Sequence, residues 1–391
     1  MTPLKLPFSF KHSILALGSE TNTTFSLLNK DTVFLSRPYN DLKDPSVFED
    51  FKNDILKEEK SLGIKPEIIA CDMHPEYMSS KYARDIAKGK KDIRLVEVQH
   101  HHAHAAACMA ENSLSDKVIS VAFDGTGYGP DGKIWGGEFL IAGYRDFERV
   151  GHIAYIPMPG GDRAVLEPIR MLLAYLYKAY GGYINKVPVD ILERLGREKC
   201  TVIGNMMDKE INSPLTSSAG RLFDAVSSLL GIKDCISYEG EAAIMLEEAA
   251  KGSASRDSYN FRLIENGGVN IDFGDTIKEI VSGLAKKEAI SDIARKFHNT
   301  LAEAAAKTCV MIQKKHKIKK VVLTGGVFQN KILLGGANER LRAAGFTVYT
   351  HHDVPAGDRG VSMGQAVIAA SITEKKNVLR HTDEGNKQSR R

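Results

Sequence analysis

One stretch concentrates the residues best suited to chemistry: Val96-Glu97-Val98-Gln99-His100-His101-His102-Ala103-His104-Ala105-Ala106-Ala107. It holds four of the chain's 12 histidines within five positions. The alanine-rich continuation favours a helix, and on a helix residues four apart share a face. His100 and His104 can therefore offer two imidazoles to one metal ion, while His101 and His102 leave at other angles. No Glu follows His100 in the pattern of the helical zinc proteases, so that hydrolytic chemistry is not indicated. The alternative is a helix start with incidental histidines.

Two imidazoles need at least one more ligand. Asp124, in Phe123-Asp124-Gly125-Thr126-Gly127-Tyr128-Gly129, and Asp358, in Pro355-Ala356-Gly357-Asp358-Arg359-Gly360, are the candidates. Each sits just past a strand-like run, and open α/β sheets gather ligands at the carboxyl ends of their strands. Both are also good turn formers that need no ligand. Imidazoles with carboxylates suit Fe(II), Zn(II) or Mn(II) about equally.

A second group of motifs suits a nucleotide. Leu323-Thr324-Gly325-Gly326-Val327-Phe328-Gln329-Asn330 reads as a strand, a glycine pair and a helix start. Such a turn lets backbone approach phosphate or adenosine closely. It lacks the Lys-Ser/Thr of a P-loop and the third glycine of the dinucleotide fingerprint, and a tight packing turn would use the same residues. Ser218–Asp224 and Tyr238–Ala243 open two further helices. Their acids Asp224 and Glu241 can accept from ribose hydroxyls, or simply favour the helix dipole.

The elements that must position these residues alternate strand and helix. The first ten residues read as a tether. Strands are expected at His12–Leu17, Thr24–Leu28, Thr32–Ser36, Glu67–Asp72 and Arg94–Val98, with helices at Pro45–Leu62 and Ser79–Ala87. The pattern then restarts with strand Lys117–Phe123, a Gly-rich turn Asp124–Gly129 and a returning strand Ile134–Tyr144. Two strand–loop–strand units, each followed by helices, suggest a duplicated α/β architecture. Residues 151–300 read as a mostly helical insertion, with helical spacing at Leu166–Tyr180, Ile191–Leu195, Leu222–Leu230 and Glu241–Ala250, and a β-like patch at Asn260–Ile271. Helix Ile290–Lys315, strand Lys320–Leu323, helix Lys331–Arg342, strand Thr347–Thr350 and helix Val361–Ala370 complete the second unit. The expected division is therefore a lobe over 1–115, a lobe over 116–373 and a polar tail over 374–391.

Composition narrows the function classes. At 391 residues, with 43% hydrophobic and 26% charged residues, the chain is an ordinary globular one of two or three domains. Its apolar runs last only a few residues, so no membrane span or signal pattern is expected, and a cytoplasmic location is. Six Lys or Arg against three Asp or Glu in the tail supply most of the net charge of +4, so a nucleic-acid partner is not indicated. The five cysteines are scattered without a Cys-x-x-Cys pair, which supports neither a zinc ribbon nor a disulfide framework.

Taken in order, Gln99–Ala107, Asp124–Gly129, Pro159-Gly160-Gly161-Asp162, Gly220–Asp224, Tyr238–Ala243, Thr324–Asn330 and Gly357–Gly360 resemble the C-terminal carbamoyltransfer module of the HypF hydrogenase-maturation proteins. The resemblance runs from about Ser13 to Ala370 and includes Ala70-Cys71-Asp72-Met73-His74-Pro75-Glu76-Tyr77. It implies an actin-like (ASKHA) α/β fold of two ribonuclease-H-type lobes with a helical insertion in the second. It also implies a metal site of His100, His104, Asp124 and Asp358 holding Fe or Zn, with Mn and Mg as alternatives. Gly125, Thr126, Gly127 and Tyr128 would form a phosphate loop, and Asp224, Gly240, Gly325, Gly326 and Asn330 would contact ATP, AMP or carbamoyl adenylate, with Glu241 a ribose candidate by proximity.

The implied activity is metal-dependent transfer of a carbamoyl group from carbamoyl adenylate, with His100, His104 and Asp124 as the reacting centre. The family's acceptor is the C-terminal cysteine thiolate of a HypE-like protein. The alternatives are another acceptor, whether a small-molecule hydroxyl, another protein or tRNA, and a nucleotide-binding subunit without transfer activity. Full-length family members carry upstream acylphosphatase, zinc-finger and adenylate-forming domains that find no match here, so a separate adenylate-forming protein is the expected source of the donor.

Overall fold

The computed structural model describes residues 1–182, 192–194 and 196–374. The ends of the expected helix Ile191–Leu195 and residues 375–391 of the expected tail lie outside these.

The first lobe carries β1 (Thr2–Lys5), β2 (Ile14–Ala16), β3 (Thr21–Thr23), β4 (Ser26–Asn29), β5 (Thr32–Leu35), β6 (Tyr39–Asp41), β7 (Ile68–Asp72) and β8 (Arg94–Val98). Its six-stranded sheet runs β1-β5-β4-β2-β7-β8, antiparallel through β2 and parallel from β2 to β8, while β3 and β6 form a separate pair. Every residue of β2 and β7 is buried, as expected of central strands covered on both faces.

The second lobe repeats this plan. It carries β9 (Val118–Tyr128), β10 (Ile134–Ala142), β11 (Phe147–Ile153), β12 (Ile156–Pro157), β13 (Leu215–Thr216), β14 (Arg262–Glu265), β15 (Val269–Asp272), β16 (Lys320–Thr324) and β17 (Thr347–Tyr349). The path β11-β10-β9-β16-β17 matches β5-β4-β2-β7-β8 strand for strand: an antiparallel meander followed by two parallel strands. The duplicated actin-like architecture is thus visible in the topology itself.

The helix His100–Glu111 is the hub. Gln99 caps its start, its side-chain oxygen accepting the His102 N–H at 2.9 Å. Residues 100–110 are all buried, which explains the alanines: backbone must approach on every side. The closest approach is to helix Val361–Thr373, where a Cβ on Gly364 would fall 1.9 Å from the Ala103 carbonyl oxygen. A shared core cluster containing Ile14, Ala106, Met109, Val322 and Val367 ties both lobes around this hub.

Three sequence expectations change, and one is made specific. The first ten residues are not a tether: β1 pairs with β5, and Leu6, Phe8 and Phe10 are buried. Asp124–Gly129 is not a turn but largely strand. β9 continues through Tyr128, with Tyr128 opposite Ile134 and the chain reversing after it. The β-like patch expected at Asn260–Ile271 is the hairpin of β14 and β15, which pairs onto β11 and extends the sheet. Helix Val361–Thr373, expected with the second lobe, packs on β2, β4 and β7 of the first.

Candidate active site in the cleft

The carboxyl ends of β7 and β16, the middle of β9 and the start of helix His100–Glu111 converge on one point. There, ligand atoms of His100, His104, Asp124 and Asp358 all lie within 4.8 Å of one another. Asp124 Oδ2 is 3.2 Å from His100 Nε2 and 3.1 Å from His104 Nε2. Asp358 Oδ1 is 3.6 Å and 3.7 Å from the same two nitrogens. Helical spacing of four residues brings the two rings to one side, their centroids 4.8 Å apart.

The surrounding groups fix these ligands. Asp72, the last residue of β7, accepts from His100 Nδ1 at 2.8 Å, which directs the Nε2 lone pair into the cluster. Asp124 Oδ1 accepts the Gly326 N–H at 3.0 Å, so the glycine pair is joined to the carboxylate side of the site. Gly325 lies at φ +95°, and a Cβ there would fall 2.3 Å from the Phe123 carbonyl oxygen. Thr324 Oγ1 reaches the His104 carbonyl oxygen at 3.1 Å and His351 Nε2 at 2.8 Å.

Charge complementarity is strong. Burial opposes ionisation of all four groups, yet they hold each other charged. Burial would lift Asp124, but His104 and His100 pull it well below the usual carboxylate range. Asp358 is drawn down to about 2 against its burial, mainly by His100. Against their own burial, His100 is raised well above its ordinary value, first by Asp358, and His104 is raised, first by Asp124. The donor set fits a divalent cation: two imidazole Nε2 atoms and two carboxylates, with one imidazole already oriented by a carboxylate behind it.

His101 and His102 do point elsewhere. His101 Nδ1 lies 3.1 Å from Gln99 Nε2, and His102 Nε2 lies 2.6 Å from the Gly143 carbonyl oxygen. Gly127 has no room for a side chain, because a Cβ would fall 2.5 Å from the His101 ring. Gly125 packs on Gly220, with Ser218 Oγ donating to the Asp124 carbonyl oxygen at 3.0 Å. The expected phosphate segment Gly125–Tyr128 is therefore extended strand beside the His–Asp cluster.

The expected nucleoside contacts are more occupied. Asp224 is buried and pairs with Arg221 at 2.7 Å. Asn330 caps helix Lys331–Ala343, its Oδ1 accepting the Leu333 N–H, while its Nδ2 lies 2.9 Å from His298 Nε2. Gly240 sits at φ +81° before helix Glu241–Ala250. Glu241 is turned to Lys233 at 2.6 Å and to the Ser237 N–H, not to the cluster.

Sequence reasoning missed two residues. Asp72 lies in the Ala70–Tyr77 segment quoted for the resemblance but was given no role there. Glu239 lies in the quoted Tyr238–Ala243 motif but two places before the acid singled out. Its Oε1 stands 3.1 Å from where a Gly125 Cβ would be. Desolvation in the cleft, then Asp358, lifts its carboxyl to about 7, although much of the residue is open to solvent, which screens that push.

Comparison with known proteins agrees with this geometry. Residues 9–111 match the HypF Kae1-like domain, and residues 120–365 match the second subdomain of the carbamoyltransferase Kae1-like domain. The two lobes and their shared cleft therefore define a Kae1-like carbamoyltransferase module. The chain belongs to the HypF carbamoyltransferase family.

Carbamoyltransferase HypF2 of Cupriavidus necator is 33% identical over 91% of this chain and 46% of its own length. A carbamoyltransferase HypF homolog of the same organism is 32% identical over 93% of both. A crystal structure of full-length HypF in the phosphate- and nucleotide-bound form superposes with a TM-score of 0.89 and 37% identity. It covers 96% of this chain and 48% of that one. The chain thus spans about half the length of most of these relatives. Among the described residues no helix is long and apolar enough to cross a membrane.

Proposed function

We propose that this chain transfers a carbamoyl group from carbamoyl adenylate to the C-terminal cysteine thiolate of a HypE-like acceptor, as a step of hydrogenase maturation. The observation that carries the reading is the convergence of His100, His104, Asp124 and Asp358 at the point where two glycine-bearing segments meet.

A divalent ion held by these four residues would supply positive charge for an adenylate phosphate or carbonyl oxygen. The residues themselves do the positioning. Asp72 holds the Nδ1 side of His100, so His100 cannot rotate away from the cluster. The Gly326 N–H holds Asp124, and the missing side chains at Gly125 and Gly326 leave backbone free to approach a nucleotide. Fixing donor and acceptor in one cleft lowers the entropic cost of transfer.

The buried internal thiols are not candidates for the acceptor. Burial pushes the Cys71 thiol up to about 12 and the Cys108 and Cys309 thiols further up, so none of these is a thiolate near neutral pH.

The test is to mix metal-loaded protein, preformed carbamoyl adenylate and an acceptor with a free C-terminal cysteine. AMP release and an acceptor heavier by one carbamoyl group are expected by mass spectrometry. No adduct, with metal and nucleotide binding intact, would instead identify a binding subunit.

A further inference from the structure

The His–Asp cluster is not equally closed on all sides. The side chains of His100, His104 and Asp124 are 0%, 1% and 7% exposed, whereas that of Asp358 is 25% exposed, so a ligand reaches the four from the Asp358 side. Two loops floor that side, Gly325–Asn330 and Pro355–Gly360, joined where the Gly325 N–H donates to the Ala356 carbonyl oxygen at 3.0 Å. Over this floor lies the side chain of Gln329. A Cβ on Gly357 would fall 3.0 Å from Gln329 Nε2. One on Gly326 would fall 3.8 Å from the same nitrogen and 3.0 Å from Asp124 Oδ1. The amide and the Asp124 carboxylate therefore flank one bare stretch of backbone.

The neighbours of Gln329 hold it there. It ends the 3-10 turn Gly326–Gln329, between two residues committed to the fold. Phe328 is buried and stacks on Phe123, the ring centroids 5.3 Å apart and the planes 5° from parallel. Asn330 caps the following helix. Gln329 alone of the three is exposed, which leaves its amide open to a ligand. The bonds made around it belong to its neighbours, the Gly326 N–H to Asp124 and the Asn330 side chain to Leu333 and His298, and none among the described residues uses the Gln329 amide.

A side-chain amide accepts at its oxygen and donates at its nitrogen, on adjacent positions. That pattern is the complement of a carbamoyl group, O=C–NH2, placed edge to edge with it. Two parallel hydrogen bonds result, from Nε2–H to the carbamoyl oxygen and from the carbamoyl N–H to Oε1. An acetyl group has nearly the same shape, with methyl in place of NH2, and can make only the first. We propose that Gln329 is a specificity-determining residue that recognises the amide of the transferring carbamoyl group. This rests on the carbamoyl-adenylate reading above, which puts that group beside the His–Asp cluster.

The experiment is an internal competition. Metal-loaded full chain receives equal amounts of preformed carbamoyl and acetyl adenylates together with the acceptor protein. Each product forms as the acceptor thiolate adds to the donor carbon and AMP leaves with the electron pair of the broken carbon–oxygen bond. Mass spectrometry reads the ratio of carbamoylated to acetylated acceptor. Gln329→Met keeps the length of the side chain and removes both polar partners. The ratio should fall about fivefold, the scale of one net hydrogen bond, because only the carbamoyl donor loses the N–H bond to Oε1. Metal content and AMP affinity should stay at wild-type values, since AMP carries no carbamoyl group. Gln329→Ala should lower the ratio similarly, and a ratio is not disturbed by partial loss of folded protein.

An unchanged ratio in Gln329→Met would overturn the assignment. So would a fall in AMP affinity, which would move Gln329 to the nucleotide, or a fall in metal content, which would tie it to the cluster itself. If wild type makes neither adduct, the underlying functional reading fails, an outcome distinct from any change in the ratio.

Discussion

The proposed metal corner and the proposed nucleoside wall of the cleft are built on different terms. At the corner, His100, His104, Asp124 and Asp358 converge, with His100 steered from behind by Asp72 and Asp124 by the Gly326 N–H. Nothing there serves the fold first. Along the wall, Asp224 is paired with Arg221, Asn330 caps a helix and Glu241 is paired with Lys233. Each would have to serve the fold and a ligand at once. Preorganised charge that gains nothing from folding alone is the stronger sign of function, whereas a capped helix or paired acid has a sufficient structural reason to exist.

The sharpest test of this contrast is at the corner. His100→Ala or His104→Ala removes one of four converging groups, and metal content after purification should fall steeply by elemental analysis. His102→Ala should keep its metal, although losing the bond to the Gly143 carbonyl oxygen should lower its thermal midpoint. Metal loss in His102→Ala equal to that in His100→Ala would mean that the corner responds to helix packing and not to ligand number.

Next in size is the residue behind the ligand. Asp72→Asn keeps the shape but replaces the carboxylate on His100 Nδ1. Loss of such an outer partner typically costs 10–100-fold in metal affinity. Chelator competition should show that loss with the fold intact, and an unchanged affinity would reduce Asp72 to a strand end.

The wall predicts smaller, mixed effects. Asp224→Ala and Asn330→Ala should each weaken ATP or AMP binding by about 1–3 kcal/mol for a lost buried partner. Asn330→Ala should also destabilise the protein by about 0.5–2 kcal/mol through its lost helix cap. Calorimetry with unchanged nucleotide affinity in both variants would leave these residues wholly to the fold.

The same contrast explains what could be read from sequence. The corner was legible because its residues sit in short-range patterns, helical spacing for His100 and His104 and acids beside glycines for Asp124 and Asp358, although Asp124 lies in the middle of β9 and Asp358 opens a 3-10 turn. The helix Pro45–Leu62 was legible for the same reason, Asp44 accepting from the Ser46 N–H ahead of Pro45. Asp72 was hidden because its partner lies 28 residues away on another element. The strand character of Gly125–Tyr128 was hidden because glycines suit a turn as well as a crowded hairpin, and only the His101 ring and Gly220 decide between them. The first strand was misread although Leu6, Phe8 and Phe10 alternate, since its short paired part Thr2–Lys5 gains order only from β5.

The smallest expected effect joins the two regions. Glu239 stands between them, its carboxyl lifted to about 7 by confinement in the cleft and then by Asp358. An acid raised in the folded state adds stability below its unfolded value near 4.5, and that contribution is lost as pH rises through about 7. Over the same interval Glu239 becomes an anion facing the groove where a phosphate would lie. Affinity for AMP should therefore decline as pH rises through 7, and Glu239→Gln should flatten that part of the profile. Because Asp358 and Asp124 both push Glu239 upward, a cation bound between them should weaken that push. The decline should then move to lower pH in metal-loaded protein. Identical profiles with and without metal would show that the corner and the wall do not sense each other's charge.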